Sequence, residues 1–176
     1  MHDYSMRLMK AFASTVAEST TILDVGSRDV NGTFRHLFPG RPYVGIDIEA
    51  GDGVDVVVEP YSYPFEDNRF EVIVSGSTLE HVRRPWKWMK EIARILKPAG
   101  RVCVIAPYAY PYHEHPVDCW RVYPEGLRAL FEDAGLTTLE IEMQDDTDGG
   151  VIPGLNERIK LLNPNACGDT YGVATK

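Results

Sequence analysis

The densest run of chemically capable side chains is Pro107-Tyr108-Ala109-Tyr110-Pro111-Tyr112-His113-Glu114-His115-Pro116-Val117-Asp118-Cys119-Trp120-Arg121-Val122-Tyr123. An imidazole with a pKa of about 6.5 can take a proton from a hydroxyl at neutral pH, so His113 and His115 are candidate general bases. Aromatic faces can wall an apolar cleft and a guanidinium can hold an anion. Tyr108, Tyr112, Asp118, Trp120 and Arg121 are therefore candidates for holding a small polar or anionic substrate. His113, Glu114, His115 and Asp118 are also metal ligands by type, but no third ligand is placed beside the His-x-His pair, and no metal is expected. A second constellation lies upstream. Ile22-Leu23-Asp24-Val25-Gly26-Ser27 is an apolar run that ends in an acid and a turn glycine, and Asp47 closes the next apolar run. In an α/β protein an acid so placed can accept hydrogen bonds from both hydroxyls of a ribose, and a glycine lets the backbone turn sharply. The pairing describes a nucleoside site.

These two groups of residues need elements that bring them together. Apolar runs bounded by turn residues predict strands over 21–25, 43–48, 54–58, 70–74, 101–106 and 137–143, with 170–174 returning as a last, antiparallel strand. Helical spacing of Met6, Met9, Ala13 and Val16 predicts a helix over 5–17. Phe34, Leu37 and Phe38 mark one face of another, which Pro39-Gly40 terminates. Further helices are expected over 85–96, with proline in its first turn, and over 124–134, with Gly135 as its cap. Residues 144–169 read as irregular, with a helical turn at 155–162. Strands that alternate with helices imply an α/β fold, a Rossmann-like three-layer sandwich around a mostly parallel seven-stranded sheet. Residues 1–176 are expected to form one domain.

Composition narrows the partners. The chain has 176 residues and a net charge of −8, which argues against a surface built to hold a phosphate backbone, so no nucleic acid is expected. Three cysteines without a CxxC pair suggest neither a disulfide framework nor a zinc site, and a reducing cytoplasm is the natural compartment. The first ten residues lack the apolar core of a signal peptide, and no run approaches the roughly 20 apolar residues of a membrane span. The expected protein is cytoplasmic, without a membrane partner, and its oligomeric state is open, a homodimer included.

Four segments, in this order, resemble the class I methyltransferases that use S-adenosylmethionine, in particular the small type 11 group. They are Ile22-Leu23-Asp24-Val25-Gly26-Ser27, Gly45-Ile46-Asp47-Ile48, Tyr63-Pro64-Phe65-Glu66-Asp67-Asn68-Arg69-Phe70-Glu71-Val72-Ile73, and Leu79-Glu80-His81-Val82 leading to Leu96-Lys97-Pro98-Ala99-Gly100. The resemblance implies S-adenosylmethionine as cofactor and S-adenosylhomocysteine as product. It implies that Asp24, Gly26 and Ser27 line the methionine part, with Arg28 or the backbone after Gly26 donating to its carboxylate. Asp47 would hold the ribose, Glu59 would accept from the adenine amino group, Ile48 and Tyr61 would sandwich the ring, and Ser75 completes the cofactor set.

Two departures from the family pattern stand out. Ser27-Arg28-Asp29-Val30-Asn31 intervenes before Gly32 where relatives have further glycines, and Pro60 follows Glu59 where many members offer a backbone N–H. His81 is expected to be a structural imidazole, and Trp86 and Trp88 packing or surface residues of the following helix. The implied activity is methyl transfer to a small-molecule acceptor, with the histidine-rich loop favouring a hydroxyl oxygen on a polar or anionic metabolite or sugar. The alternatives are an N-methyltransferase and a non-catalytic S-adenosylmethionine-binding partner subunit. A nicotinamide oxidoreductase needs Gly-x-Gly-x-x-Gly after the first strand, which Asp24-Val25-Gly26-Ser27-Arg28-Asp29 lacks.

Overall fold

The strands alternate apolar side chains between two faces, and both faces are covered. The computed structural model describes residues 3–145 and 167–176. In it β1 (Ile22–Val25), β2 (Tyr43–Asp47), β3 (Val56–Val57), β4 (Phe70–Gly76), β5 (Leu96–Ala109), β6 (Thr137–Asp145) and β7 (Gly168–Thr175) form one sheet in the order β3-β2-β1-β4-β5-β7-β6. Strands β1 to β5 pair in parallel, and β7 runs antiparallel to both β5 and β6. This is the expected mostly parallel α/β sandwich with an antiparallel last strand.

Successive side chains of a strand point to opposite faces. Leu23, Val25, Ile73, Val102, Val104 and Ala106 share one core with Trp88, Met89 and Ile92 of α2 (Pro85–Ile95) and Leu127 and Phe131 of α3 (Pro124–Asp133). Ile22, Val72, Val74, Cys103 and Ile105 share the other with Met9, Phe12 and Ala13 of α1 (Asp3–Ser14). Each large side chain buried in this way contributes about 1.5–3 kcal/mol. Both α2 and α3 open on proline, whose missing N–H costs nothing in a first turn.

Two expectations change in detail. The helix marked by Phe34, Leu37 and Phe38 is only a single 3-10 turn, Arg35–Leu37, yet Phe34 and Phe38 are buried and fill the face beside α1. Side-chain burial, not helical backbone, is what that apolar spacing records. The third strand shrinks to two residues, and beside it the Asp55 carboxylate accepts from the Gly45 N–H at 2.7 Å and from Arg35 at 2.5 Å. The helical turn expected at 155–162 lies outside the described residues. No described helix is long and apolar enough to cross a membrane.

The chain winds outward from β1 through β2 to β3, then returns to lay β4 on the other side of β1. That reversal makes the carboxyl ends of β1 and β4 a topological switch point, where ligands of open α/β sheets bind.

Candidate functional site

At the end of β1 the backbone turns at Gly26 with φ +82°, and a Cβ there would lie 2.0 Å from Thr78 Oγ1. Only glycine fits. The following loop is stitched down by its main chain: Gly26 and Ser27 N–H donate to the Ile46 carbonyl at 2.9 and 3.0 Å, and Asp29 N–H to that of Asp52 at 2.8 Å. Ser27 Oγ donates to the Gly53 carbonyl at 3.0 Å. The glycine-poor loop thus trades the freedom of extra glycines for anchorage to the 51–53 turn. Asp47, at the tip of β2, accepts from Arg28 N–H at 3.4 Å and Glu49 N–H at 3.1 Å, which orients its carboxylate. Asp24 is buried and accepts from the Tyr43 hydroxyl at 2.6 Å. Burial pushes its carboxyl up to about 7 against the lowering effect of that hydrogen bond.

A cavity of about 700 Å³ runs along the carboxyl ends of β1, β2, β4 and β5. Of the residues singled out in the sequence, Asp24, Gly26, Ser27, Arg28, Asp47, Ile48 and Tyr61 line one end, and His113 and His115 line the other. Its size suits a ligand held by an apolar cleft with a few polar fixings. Ile48 is 45% exposed at the rim, an apolar side chain left open where a flat ring could cover it. The Gly26 cradle and the oriented Asp47 fit a nucleoside with an attached chain.

Several predicted contacts fall elsewhere. Glu59 is exposed and absent from the cavity wall, because Ser62 N–H closes a tight turn on its carbonyl at 3.3 Å and the wall is made by its neighbours Val58, Pro60 and Tyr61. Ser75 is buried off the wall and donates to the Val25 carbonyl at 2.7 Å, pinning β4 to β1. The Arg28 guanidinium pairs with Glu49, and the N–H groups of Gly26, Ser27 and Asp29 already have acceptors, so these groups are committed within the protein.

The other end is built by two segments that follow adjacent strands, a 3-10 turn at Leu79–His81 after β4 and the loop after β5. Cys119 and Trp120 N–H donate to the Glu80 carbonyl at 2.7 and 3.2 Å, and Trp120 Nε1–H to that of Val82 at 2.7 Å. His81 Nδ1 lies 2.5 Å from the Val117 carbonyl. Asp118 cross-braces the loop: its carboxylate accepts from Arg121 at 2.6 and 2.7 Å and from His113 N–H at 2.8 Å. The guanidinium hydrogen bonds hold the Asp118 carboxyl down at about 2.

Arg121, Asp118 and Trp120 are therefore loop braces outside the cavity wall, since the arginine also donates to the carbonyls of Tyr110 at 3.0 Å and Pro111 at 3.1 Å. Tyr112 is 72% exposed, and Tyr108 is buried against Tyr123; neither lines the cavity. In their place stand Thr78, Glu80, His81 and Tyr110. His81 packs edge-on against His113 with ring centroids 4.9 Å apart and lies 6.4 Å from His115, so it belongs to an imidazole cluster. Burial holds its pKa below the ordinary value. Glu80 is 1% exposed and burial pushes its carboxyl up to about 8. The Leu79-Glu80-His81 motif was the available signal, but its contact with a loop 36 residues later is a tertiary fact.

Residues 23–104 match the family model described as a methyltransferase domain. That likeness covers just under half of the chain and agrees with the resemblance carried by its motifs. The chain is similar to an uncharacterized methyltransferase of Mycolicibacterium gilvum, 29% identical over 107 residues, a match that spans 53% of the chain but 41% of that relative. Its fold is shared by a putative methyltransferase of Bacillus halodurans, with a TM-score of 0.73 at 13% identity over 98% of this chain and 99% of that one. It is also shared by a phosphoethanolamine N-methyltransferase of Haemonchus contortus in complex with S-adenosyl-L-methionine, with a TM-score of 0.69 at 14% identity over 99% of this chain and 52% of that one. S-adenosylmethionine is the cofactor that the family implies.

Proposed function

We propose that this chain is a methyltransferase that binds S-adenosylmethionine at the Gly26–Asp47 end of the cavity and methylates a hydroxyl oxygen of a small polar acceptor held at the histidine end. The observation that carries this reading is the continuity of one cavity from the β1 and β2 tips to the imidazole cluster. When bound, S-adenosylmethionine supplies a methyl on a sulfonium, which passes to the acceptor oxygen while sulfur keeps the electron pair of the broken C–S bond. Asp47 accepts from the ribose hydroxyls, Gly26 lets the ligand approach the backbone closely, and Ile48 and Tyr61 flank the base. His113 and His115 are the candidates to take the hydroxyl proton, while the walls hold the acceptor in line, which is where most of the rate arises. Recognition of an anionic acceptor through Arg121 loses its support, because that guanidinium is committed to Asp118 and backbone carbonyls. A neutral, hydroxyl-rich acceptor such as a sugar fits better.

Calorimetry with S-adenosylmethionine and S-adenosylhomocysteine should show binding of both, and folded protein that binds neither sinks the reading. Radiolabelled methyl transfer into neutral and anionic hydroxyl compounds then tests the acceptor class. His113→Ala and His115→Ala are expected to slow turnover, by about 100-fold or more for whichever acts as base. Undiminished rates in both variants would end the base proposal and leave methyl transfer standing.

A further inference from the structure

Glu80, His81 and His113 each place one ligand-type atom within 4.8 Å of the others, and all three line the acceptor end of the cavity. Glu80 Oε1 lies 3.8 Å from His81 Nε2. Glu80 is 1% exposed, and among the described residues its buried Oε2 meets no hydrogen-bond partner. A buried carboxylate oxygen without a partner is costly, so it calls for an explanation such as an ion.

The imidazoles are held in the form that a cation needs. A carbonyl only accepts, so the 2.5 Å contact of His81 Nδ1 with Val117 O means that Nδ1 carries the proton and Nε2 presents a lone pair. His113 repeats the arrangement: Nδ1 lies 3.1 Å from the Pro111 carbonyl and 3.4 Å from Asp118 Oδ2. Metal-bound histidines characteristically give their other N–H to a backbone carbonyl or a carboxylate, and both histidines here do so before any ion arrives.

We propose that Glu80, His81 and His113 form a binding site for a divalent transition-metal ion of the zinc, manganese or ferrous class, open on its cavity side. Two imidazoles and one carboxylate are the donor set of that class, whereas magnesium and calcium prefer oxygen alone. Ligand atoms around such an ion sit about 3.3 Å apart, so the triad closes by roughly 1 Å on binding. Three protein ligands leave positions open toward the acceptor, where a cation lowers the pKa of an oxygen that reaches it. With the His113 lone pair on the ion, His115 is the imidazole left to carry the proton away. The site itself does not depend on methyl transfer; only this role at the acceptor end rests on the function proposed above.

The test is titration of chelator-stripped full-length chain with Zn²⁺, Mn²⁺ and Co²⁺ by calorimetry, with the visible spectrum of the Co²⁺ form recorded. One ion per chain is expected, with nitrogen and oxygen ligand-field bands and no thiolate charge-transfer band. Because loss of a mere supporting partner costs 10–100-fold, Glu80→Gln and His113→Ala should each weaken binding at least about tenfold, with His115→Ala within about twofold of wild type. Where buried Glu80→Gln does not fold by circular dichroism, His113→Ala on the surface loop decides. Absence of stoichiometric uptake, unchanged affinity in His113→Ala, or a thiolate band from a nearby cysteine would each overturn the proposal. S-adenosylmethionine titrated into the same stripped protein separates the two readings: cofactor binding without metal binding sinks only the metal site.

Discussion

One end of the cavity is built from main chain and the other from ionisable side chains, and two buried carboxyls show what that difference does. Asp24 lies beside a phenol, and burial raises its carboxyl to about 7. Asp118 lies beside a guanidinium, whose hydrogen bonds lower its carboxyl to about 2. At Asp24 burial outweighs the hydrogen bond from the phenol, whereas at Asp118 the guanidinium hydrogen bonds outweigh the cost of burial. The linkage to stability is correspondingly opposite. Asp24, raised from 3.8, stabilises the fold relative to the unfolded chain below that value, and the contribution is lost as pH rises toward 7. Asp118, lowered from 3.8, contributes stability above that value that is lost as pH falls toward 2.

The largest expected effect follows from Asp24. Replacing it by Asn keeps an acceptor for the Tyr43 hydroxyl and removes a carboxylate that ionises at a cost, so the ligand-free protein should gain up to about 4 kcal/mol at roughly pH 8 and far less at about pH 4. Urea denaturation at both pH values measures this, and a gain independent of pH would mean that Asp24 is not the titrating group. Next comes Arg121→Ala, which strands the Asp118 carboxylate and should cost about 3 kcal/mol. Turnover should fall with the loosened loop while S-adenosylmethionine affinity stays near wild type. An equal loss of affinity would show that the two ends of the cavity are not independent.

A smaller effect is expected at the cofactor end. Asp47→Ala should weaken S-adenosylmethionine by about 2 kcal/mol, roughly 30-fold in Kd, with chain stability little changed. Smallest of all is Tyr112→Phe, which removes an exposed hydrogen bond to Glu114 and should leave stability and turnover close to wild type. A large loss of turnover there would return Tyr112 to the acceptor site.

The Gly26–Asp47 end of the cavity was legible because its geometry is local. Gly26 must be glycine for its φ, and Asp47 ends a strand whose register against β1 brings the two tips together. Ser75 and Glu59 misled for the same local reason: each sits at the correct end of a strand or turn, but a single hydrogen bond or a tight turn takes it off the wall. The acceptor loop was legible only as composition. Its histidines do reach the cavity, whereas its arginine, acid and tryptophan hold the loop in shape, because a charged pair that finds a partner three residues away gains more from bracing than from waiting for a ligand.

The sequence by itself determined the α/β order, the antiparallel return, the methyltransferase resemblance and the acid-turn-acid arrangement at the tips of β1 and β2, since strand periodicity, turn glycines and strand-tip acids act over a few residues. The tertiary structure alone decided that Leu79–His81 meets the loop after β5, and with it that Glu80 is buried beside two imidazoles. That contact depends on β5 lying next to β4, and burial and partner charge, which set how each carboxyl and imidazole behaves, exist only once the strands are laid side by side.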